Sequence, residues 1–395
     1  MISFDEAIGI IRSAARPLGT ERLALSDAIG RVLAEPVVAA IDSPRADVSA
    51  MDGYAMRGAD LGEYPLSLRV VSESVPGSGW PGTVEAGQCV RIFTGAPLPA
   101  GADRIIIQER VRRDGQTAVI DADPGPATWV RPRAKDFRLG EEVLSASRRL
   151  DPSASVAAAG ADATEVEVYA RPRVALLANG DELAEPGEAR LSSLAVPDSA
   201  SLGVAALARS WGGDIVGRER LPDDLQQMEA AAKDATATAD LVVVIGGASV
   251  GDRDFAKAMF APQDLDLLFD KISIRPGKPA WLGRAGETLV IGLPGNPTSA
   301  LVTARLLLAP LLAVLQGRPV ESALDWEPAR LVTLMPACDR RETFHRATLA
   351  GGEVSFLGFQ ESHAQKALAE ADVLVRQAAD SPAIEAGSTV ACLRL

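Results

Sequence analysis

The stretch DLVVVIGGASVGDRDF (240–255) decides the fold. Its first half is an unbroken apolar, β-branched run, the pattern of a strand buried on both faces. Its second half breaks at Gly246 and Gly247 into a loop with a serine and acids. VALLANGDEL (174–183), IRPGKPAW (274–281) and VIGLPGNPTSA (290–300) repeat the plan: an apolar run, then a loop bearing Gly, Pro or acid. Helical patterns fall between and after them. One runs from Ser199 to Trp211 with Leu202, Ala206 and Leu207 inward, one from Asp223 to Ala237, one from about Asp254, and one from Pro297 towards Leu315. A short strand is predicted at Asp214–Gly217. Strands that alternate with helices predict a parallel, doubly wound α/β sheet. In such a sheet, ligands sit beyond the carboxyl ends of the strands. The loops there carry the hard oxygen donors Asp181, Glu182, Asp252 and Asp254 and the cations Arg275 and Lys278. Carboxylates and cations together suggest an anionic, phosphate-bearing ligand with a divalent metal.

Outward from this region the pattern changes on both sides. Ser3 and Glu6 form a capping box ahead of Ala7, Ile8, Ile10 and Ile11, which predicts a helix to about Pro17. A second helix is predicted from Ser26, with Ile29, Val32 and Leu33 on one face. From Ile41 to about Leu144 short strands such as LSLRVV (66–71) and CVRIF (89–93) are punctuated by Gly and Pro, as in a small all-β module. SASVAAAGADATEVEVY (153–169) reads as a short helix and a strand. After Gly317, ARLVTLM, TFHRATL, VSFLGF, DVLVRQ and STVACLRL predict a C-terminal β-barrel or sandwich.

Composition narrows the function. At roughly 100–200 residues per domain, a chain of 395 residues holds about two to four domains. A net charge of −13 argues against nucleic acid or an anionic membrane as the main partner. Cys89, Cys338 and Cys392 lie far apart without CxxC spacing, which fits a reducing cytosol and argues against zinc or a disulfide framework. The N-terminus, with Asp5 and Glu6, reads as a mature start, and no segment reads as long and apolar enough to span a bilayer. A soluble cytoplasmic enzyme is expected. His345 and His363 are the whole histidine complement, so carboxylates and a metal are favoured over a Ser-His-Asp or Cys-His mechanism.

Each motif admits two readings. In GGASVGDRD (246–254), Gly246, Gly247 and Ser249 can approach an anion, or the segment is a plain strand-to-helix turn capped by Asp254. It is neither a P-loop nor a GxGxxG turn. Asp181 and Glu182 in GDE are metal ligands or general bases, or a solvated turn. RPGKP (275–279) is a stiff cationic loop for an oxyanion, or a surface turn. GLPGNP (292–297), with Pro294 and Pro297, leads into a helix whose first turn holds Ser299. It favours an anion, or it is architecture alone. Asp52 in SAMDGYA and Arg131 and Asp136 in RPRAKD are functional or are turn and strand-end residues.

In order and spacing, SAMDGYA, TGAPLPAGAD, RPRAKD, NGDEL, GGASVGDRD, RPGKP and GLPGNP resemble the molybdopterin molybdenumtransferases, similar to the C-terminal part of gephyrin. The resemblance implies a multidomain α/β plus β fold. An elongated helical and extended part is expected at 1–44 and 145–170, an inserted β module at 45–144, an α/β molybdopterin-binding domain at 171–318 and a C-terminal β-barrel at 319–395. It implies a homodimer that, with Mg2+, takes adenylylated molybdopterin and molybdate, releases AMP and yields molybdenum cofactor. The molybdopterin adenylyltransferase and recipient molybdoenzymes are further partners it suggests. By resemblance, Asp254 and one of Asp223 or Asp224 hold Mg2+ with Glu182 close by. Arg275, Lys278 and Ser299 form the molybdate pocket with Arg346 and Ser362, and Asp52, Thr94, Arg131 and Asp136 line the cleft from the β module. The chain departs from the pattern at Asn179, where threonine is usual, at Arg275, where a second lysine is usual, and at ESHAQKALAEAD (361–372), which replaces a segment richer in Gly and Ser. The other readings are a scaffold protein of the same fold with reduced catalysis and a molybdopterin adenylyltransferase. The β module and barrel argue against the latter.

Overall fold

Val242, Val243 and Val244 are wholly buried, as their two-sided apolar run requires. Each contributes about 1.5–3 kcal/mol by leaving water. The computed structural model describes residues 1–247 and 255–395. Ser249, Asp252 and Asp254, with the helix start predicted at Asp254, lie outside the described residues. The chain folds as two units: Met1–Glu21, Gly30–Ala34 and Glu167–Leu395 form one, and Arg22–Ile29 and Glu35–Val166 the other.

The first unit opens with helix α1 (Phe4–Ala14), whose Ser3–Glu6 capping box is formed as predicted. Phe4, Ala7, Ile8 and Ile11 enter the same hydrophobic core as the sheet that follows. In chain order that sheet region contains β1 (Arg173–Asn179), α2 (Ser199–Ser210), β2 (Asp214–Leu221), α3 (Leu225–Thr238) and β3 (Leu241–Ile245). Then come β4 (Asp266–Phe269), the two-residue β5 (Ile274–Arg275), β6 (Trp281–Ala285), β7 (Thr288–Leu293) and α4 (Pro297–Thr303). The sheet order is β2-β1-β3-β7-β6-β4. The first four strands are mutually parallel, β6 is antiparallel to β7, and β4 is antiparallel to β6, so the sheet is mixed at one edge. The chain leaves β1 towards β2 and then crosses to β3 on the other side. The topological switch point therefore lies between β1 and β3.

The structure corrects several expectations. Ala200, Ser201, Val204, Ala205 and Ala208 form the inward face of α2, while Leu202 is exposed. The small residues let the helix lie close to the sheet, and their 3–4 spacing outweighs the bulk of Leu202. Residues 25–30 form turns instead of a helix, and Ile29 is exposed. There the Leu25 N–H goes to the Thr164 carbonyl and the Asp27 and Ala28 N–H groups both go to the Ala24 carbonyl, so the segment closes as a turn. The segment Pro297–Leu315 is in fact long and apolar enough to cross a membrane by composition. It is 94% buried, however, and serves as the central core helix, with a π turn at Ala304–Leu308.

Five further strands, β8 (Glu327–Leu331), β9 (Glu342–Ala350), β10 (Glu353–Phe356), β11 (Val373–Gln377) and β12 (Thr389–Arg394), match the segments read as strands. They pair in the ring β9-β10-β8-β12-β11 and back to β9, a closed five-stranded barrel. Leu331, Ala347, Val354, Val373 and Val375 fill it. Strand β5 pairs in parallel with the start of β9, through Ile274↔Glu342 and Arg275↔Thr343. This pairing joins the RPGKP loop to the barrel wall.

The second unit carries a six-stranded sheet formed by Gly53–Met56, Leu66–Ser74, Gln88–Ile92, Arg104–Ile107, Arg112–Asp114 and Thr117–Ile120. Met56, Leu68, Cys89, Ile106 and Ile120 pack on it. A helix at Pro152–Gly160 starts from Asp151, whose carboxylate caps it.

Candidate active site

Two adjacent cavities share Gly277, Pro279 and Ser299 in their walls. The first, of about 650 Å³, lies at the switch point. Glu182, Gly246, Gly247, Pro294, Pro297 and Ser299 from the motifs line it, together with Asn179. Gly246 has φ +90°, and a Cβ there would lie 2.7 Å from the Asn179 carbonyl oxygen. Only glycine lets these two strand ends approach so closely.

The second cavity, of about 880 Å³, is built by the RPGKP loop on one side and the barrel on the other. Arg275, Lys278, Ser299, Arg346 and Ser362 line it, as does Thr298. Arg275 and Lys278 are exposed and, among the described residues, have no acidic partner within ion-pair distance. Gly277 between them has φ +115°, and a Cβ would fall 2.6 Å from the Thr303 hydroxyl oxygen. The loop is thereby pressed onto α4, which orients the two cations without costing them their charge.

Arg346 is only 2% exposed. Its guanidinium donates to the carbonyls of Glu361 (3.1 Å) and Ala364 (3.4 Å). Burial pulls it below the ordinary arginine value. It nonetheless stays cationic, because that value starts far above neutrality. Its two carbonyl contacts fix the segment that carries Ser362, and Asn296 Nδ2 donates to Ser362 Oγ at 2.9 Å. The barrel loop and the GLPGNP loop thus meet at Ser362.

Three lining residues escaped the sequence reading. Thr298 is 1% exposed and its hydroxyl has no partner among the described residues. Its place beside Ser299 in one helical turn was the available signal. His345 and Gln377 line the barrel side. His345 Nε2 lies 2.7 Å from Gln377 Oε1, while Gln377 Nε2 donates to the Pro336 carbonyl. With its amide nitrogen so engaged, Gln377 accepts from His345, which places the imidazole proton on Nε2. Burial holds His345 below its ordinary value, with Arg275 adding in the same direction against the Gln377 hydrogen bond. Asn179 was noted only as a departure from the resemblance.

Asp224 caps α3 by accepting from the Gln227 N–H at 2.9 Å, and Asp181 accepts from the Asp223 N–H at 3.0 Å. Neither Asp223 nor Asp224 lines either cavity. Among the described residues no group of three or more His, Cys, Asp or Glu side chains gathers as a metal site. Asp52, Thr94, Arg131 and Asp136 belong to the second unit. There Asp52 Oδ1 accepts from the Thr94 N–H (2.7 Å) and hydroxyl (2.8 Å). These bonds hold its carboxyl below the usual range, with Arg91 adding to the effect. Arg131 pairs with Val48 on a short ribbon, and the Asp136 N–H donates to the Ser43 carbonyl.

Comparison with known proteins places the chain in a family. The family described as the MoeA N-terminal region (domain I and II) matches residues 2–161, and the probable molybdopterin binding domain matches residues 175–314. The molybdopterin molybdenumtransferase of Haemophilus influenzae is 34% identical, with 99% of this chain and 98% of its own length covered. Molybdopterin molybdenumtransferase 2 of Mycobacterium tuberculosis is 31% identical over 95% and 94%. Two structures of the molybdopterin biosynthesis MoeA protein of Pyrococcus horikoshii align over the whole chain. One has a TM-score of 0.81 at 26% identity over 99% of its own chain, the other 0.85 at 24% over 100%. With relatives of this identity matched end to end, the chain belongs to the molybdopterin molybdenumtransferase family.

Proposed function

We propose that this chain inserts molybdenum into molybdopterin in the synthesis of molybdenum cofactor. We further propose that the metal arrives as molybdate, that the acceptor is adenylylated molybdopterin, and that AMP is released. The observation that carries this reading is the pair of cavities that share Ser299. One is walled in part by glycine backbone, at Gly246, Gly247 and Gly295, and suits an extended organic ligand. The other presents Arg275, Lys278 and Arg346 and suits an oxyanion. Molybdate has no proton to donate, so fixed cations and N–H or hydroxyl donors govern its binding. Adjacent cavities hold the oxyanion beside the organic ligand, which converts a bimolecular encounter into a local one.

Mg2+ characteristically takes one or two carboxylates plus substrate phosphate oxygens. The described carboxylates do not by themselves make such a site, since Asp224 is engaged as a helix cap and Asp223 lines neither cavity. Mg2+ dependence is therefore proposed as entering with the substrate's phosphates, with Glu182 lining that cavity and Asp198, which also lines it, engaged as the cap of α2. A homodimer is also proposed. The amphipathic face of α1, expected to need a partner, is already covered within its own unit. The large exposed side chains Leu191 and Leu194 supply the apolar surface instead. Purified protein given adenylylated molybdopterin should release AMP only when molybdate is added. AMP release indifferent to molybdate would reject the reading.

A further inference from the structure

Asn179 ends strand β1 at the switch point and lines the strand-end cavity while only 7% exposed. Among the described residues, neither its Nδ2 nor its Oδ1 has a hydrogen-bond partner. A carboxamide taken out of water and given nothing in return is a cost that folds ordinarily remove. Some buried groups of this unit do remove it, while the hydroxyls of Ser199, Thr298, Thr303 and Ser381, Gln263 Oε1 and Trp281 Nε1 stay unpaired among the described residues. Buried Gln316 donates to the carbonyls of Trp211 and Leu312, and buried Asp198 accepts from the Ser201 N–H. Asn179 is left open on both atoms, and its surroundings keep it so. Gly246 and Gly247 present backbone only, and a Cβ on Gly247 would lie 3.2 Å from Asn179 Nδ2. This part of the wall carries no side chain, unlike the part formed by Glu182, Leu183 and Asn296, and a bare backbone face accepts a planar ring.

We infer that Asn179 reads the edge of a heterocycle, donating from Nδ2 and accepting at Oδ1 in one plane. A phosphate offers acceptors alone. It would satisfy Nδ2 and leave Oδ1 facing negative charge. A ring edge with an N–H beside a ring nitrogen or carbonyl satisfies both atoms, as carboxamides do with nucleobase edges. The inference rests on the proposed function, whose substrate carries two such edges: the aminopyrimidinone of the pterin and the adenine. The threonine that the resemblance places here offers one oxygen and cannot make this paired contact. Asn179 therefore gives this chain a recognition element of its own.

The test is equilibrium binding of three probes, a soluble pterin, AMP and pyrophosphate, to the full-length parent and to Asn179→Leu. Thermal melts of both proteins without ligand accompany it. A residue kept for a ligand and not for the fold predicts that Asn179→Leu melts at or above the parent temperature, because an apolar isostere removes two unpaired groups. It also predicts that the variant binds one ring probe about ten- to a hundredfold more weakly. Loss confined to the pterin assigns the edge to the pterin, and loss confined to AMP assigns it to adenine. Either result supports the inference. A lower melting temperature, unchanged binding of both rings, weakening of pyrophosphate alone, or a parent that binds neither ring at millimolar concentration would overturn it. Failure of the proposed function is distinguishable: AMP release would then ignore molybdate while ring binding still depended on Asn179.

Discussion

The two cavities of the first unit share Ser299 and differ in almost everything else. The strand-end cavity is lined by the ends of β1 and β3 and by the loops and helix starts that follow β1, β3 and β7, with glycine backbone at Gly246, Gly247 and Gly295. The cation-lined cavity is made by a loop and a barrel that meet through β5 and β9 and through Asn296 and Ser362. The difference teaches how the fold divides its work. The sheet supplies shape, which a rigid ladder does well. The loop and barrel supply charge, which exposed Arg275 and Lys278 hold without a neutralising acid.

That division breaks first at Lys278. Lys278→Ala should raise the molybdate concentration for half-maximal AMP release by roughly ten- to a hundredfold, because charge-assisted contacts are worth about 1.5–3 kcal/mol. Binding of adenylylated molybdopterin should change much less. Equal half-saturation in parent and variant would mean that the RPGKP loop is architecture. Ser299 tests the shared wall. Ser299→Ala should weaken use of both substrates by a few-fold, about the worth of one neutral hydrogen bond. An effect on only one substrate would show the cavities to be independent.

Asp224 sharpens the contrast between structural and chemical carboxylates. As an N-cap its loss should cost about 1 kcal/mol of stability. If it is only a cap, Mg2+ titration of AMP release should superpose on the parent, and a displaced Mg2+ midpoint would return Asp224 to the metal. The smallest expected effect is at His345, whose folded-state value is held below the ordinary one by burial. The unfolded chain then binds the extra proton first as pH falls. Stability is full above the unfolded value of about 6.5 and declines as pH drops through that value towards the folded one. His345→Gln should flatten this part of the stability curve in denaturant titrations between pH 7 and 5. An unchanged slope would place the dependence elsewhere.

Much of this was legible in sequence because it is local. The Ser3–Glu6 box, the β-branched run at 241–245 and the barrel strands follow from residue type and period. What failed was judged by bulk and not by spacing. The inward face of α2 follows its alanines, and residues 25–30 close as turns, with the Leu25 N–H drawn to Thr164 far along the chain. The candidate site was legible as motifs, and RPGKP and GLPGNP proved to line cavities. Thr298, His345 and Gln377 were not, since a hydroxyl, an imidazole and an amide in ordinary strand and helix text carry no period or punctuation.

The sequence by itself determined most of the strands and helices, where the loops break, and which loops carry charge, because propensity, hydrophobic period and turn chemistry act over a few residues. It also determined the family, through motifs whose order survives without contact between them. Only the tertiary structure decided that Arg275 is bound to the barrel through Thr343, that Arg346 is clamped by the carbonyls of Glu361 and Ala364, and that Asn179 is buried with both amide atoms open. Those outcomes depend on which distant backbone groups arrive beside a side chain. A group's solvation and pairing are properties of the assembled neighbourhood and not of the residue that bears it.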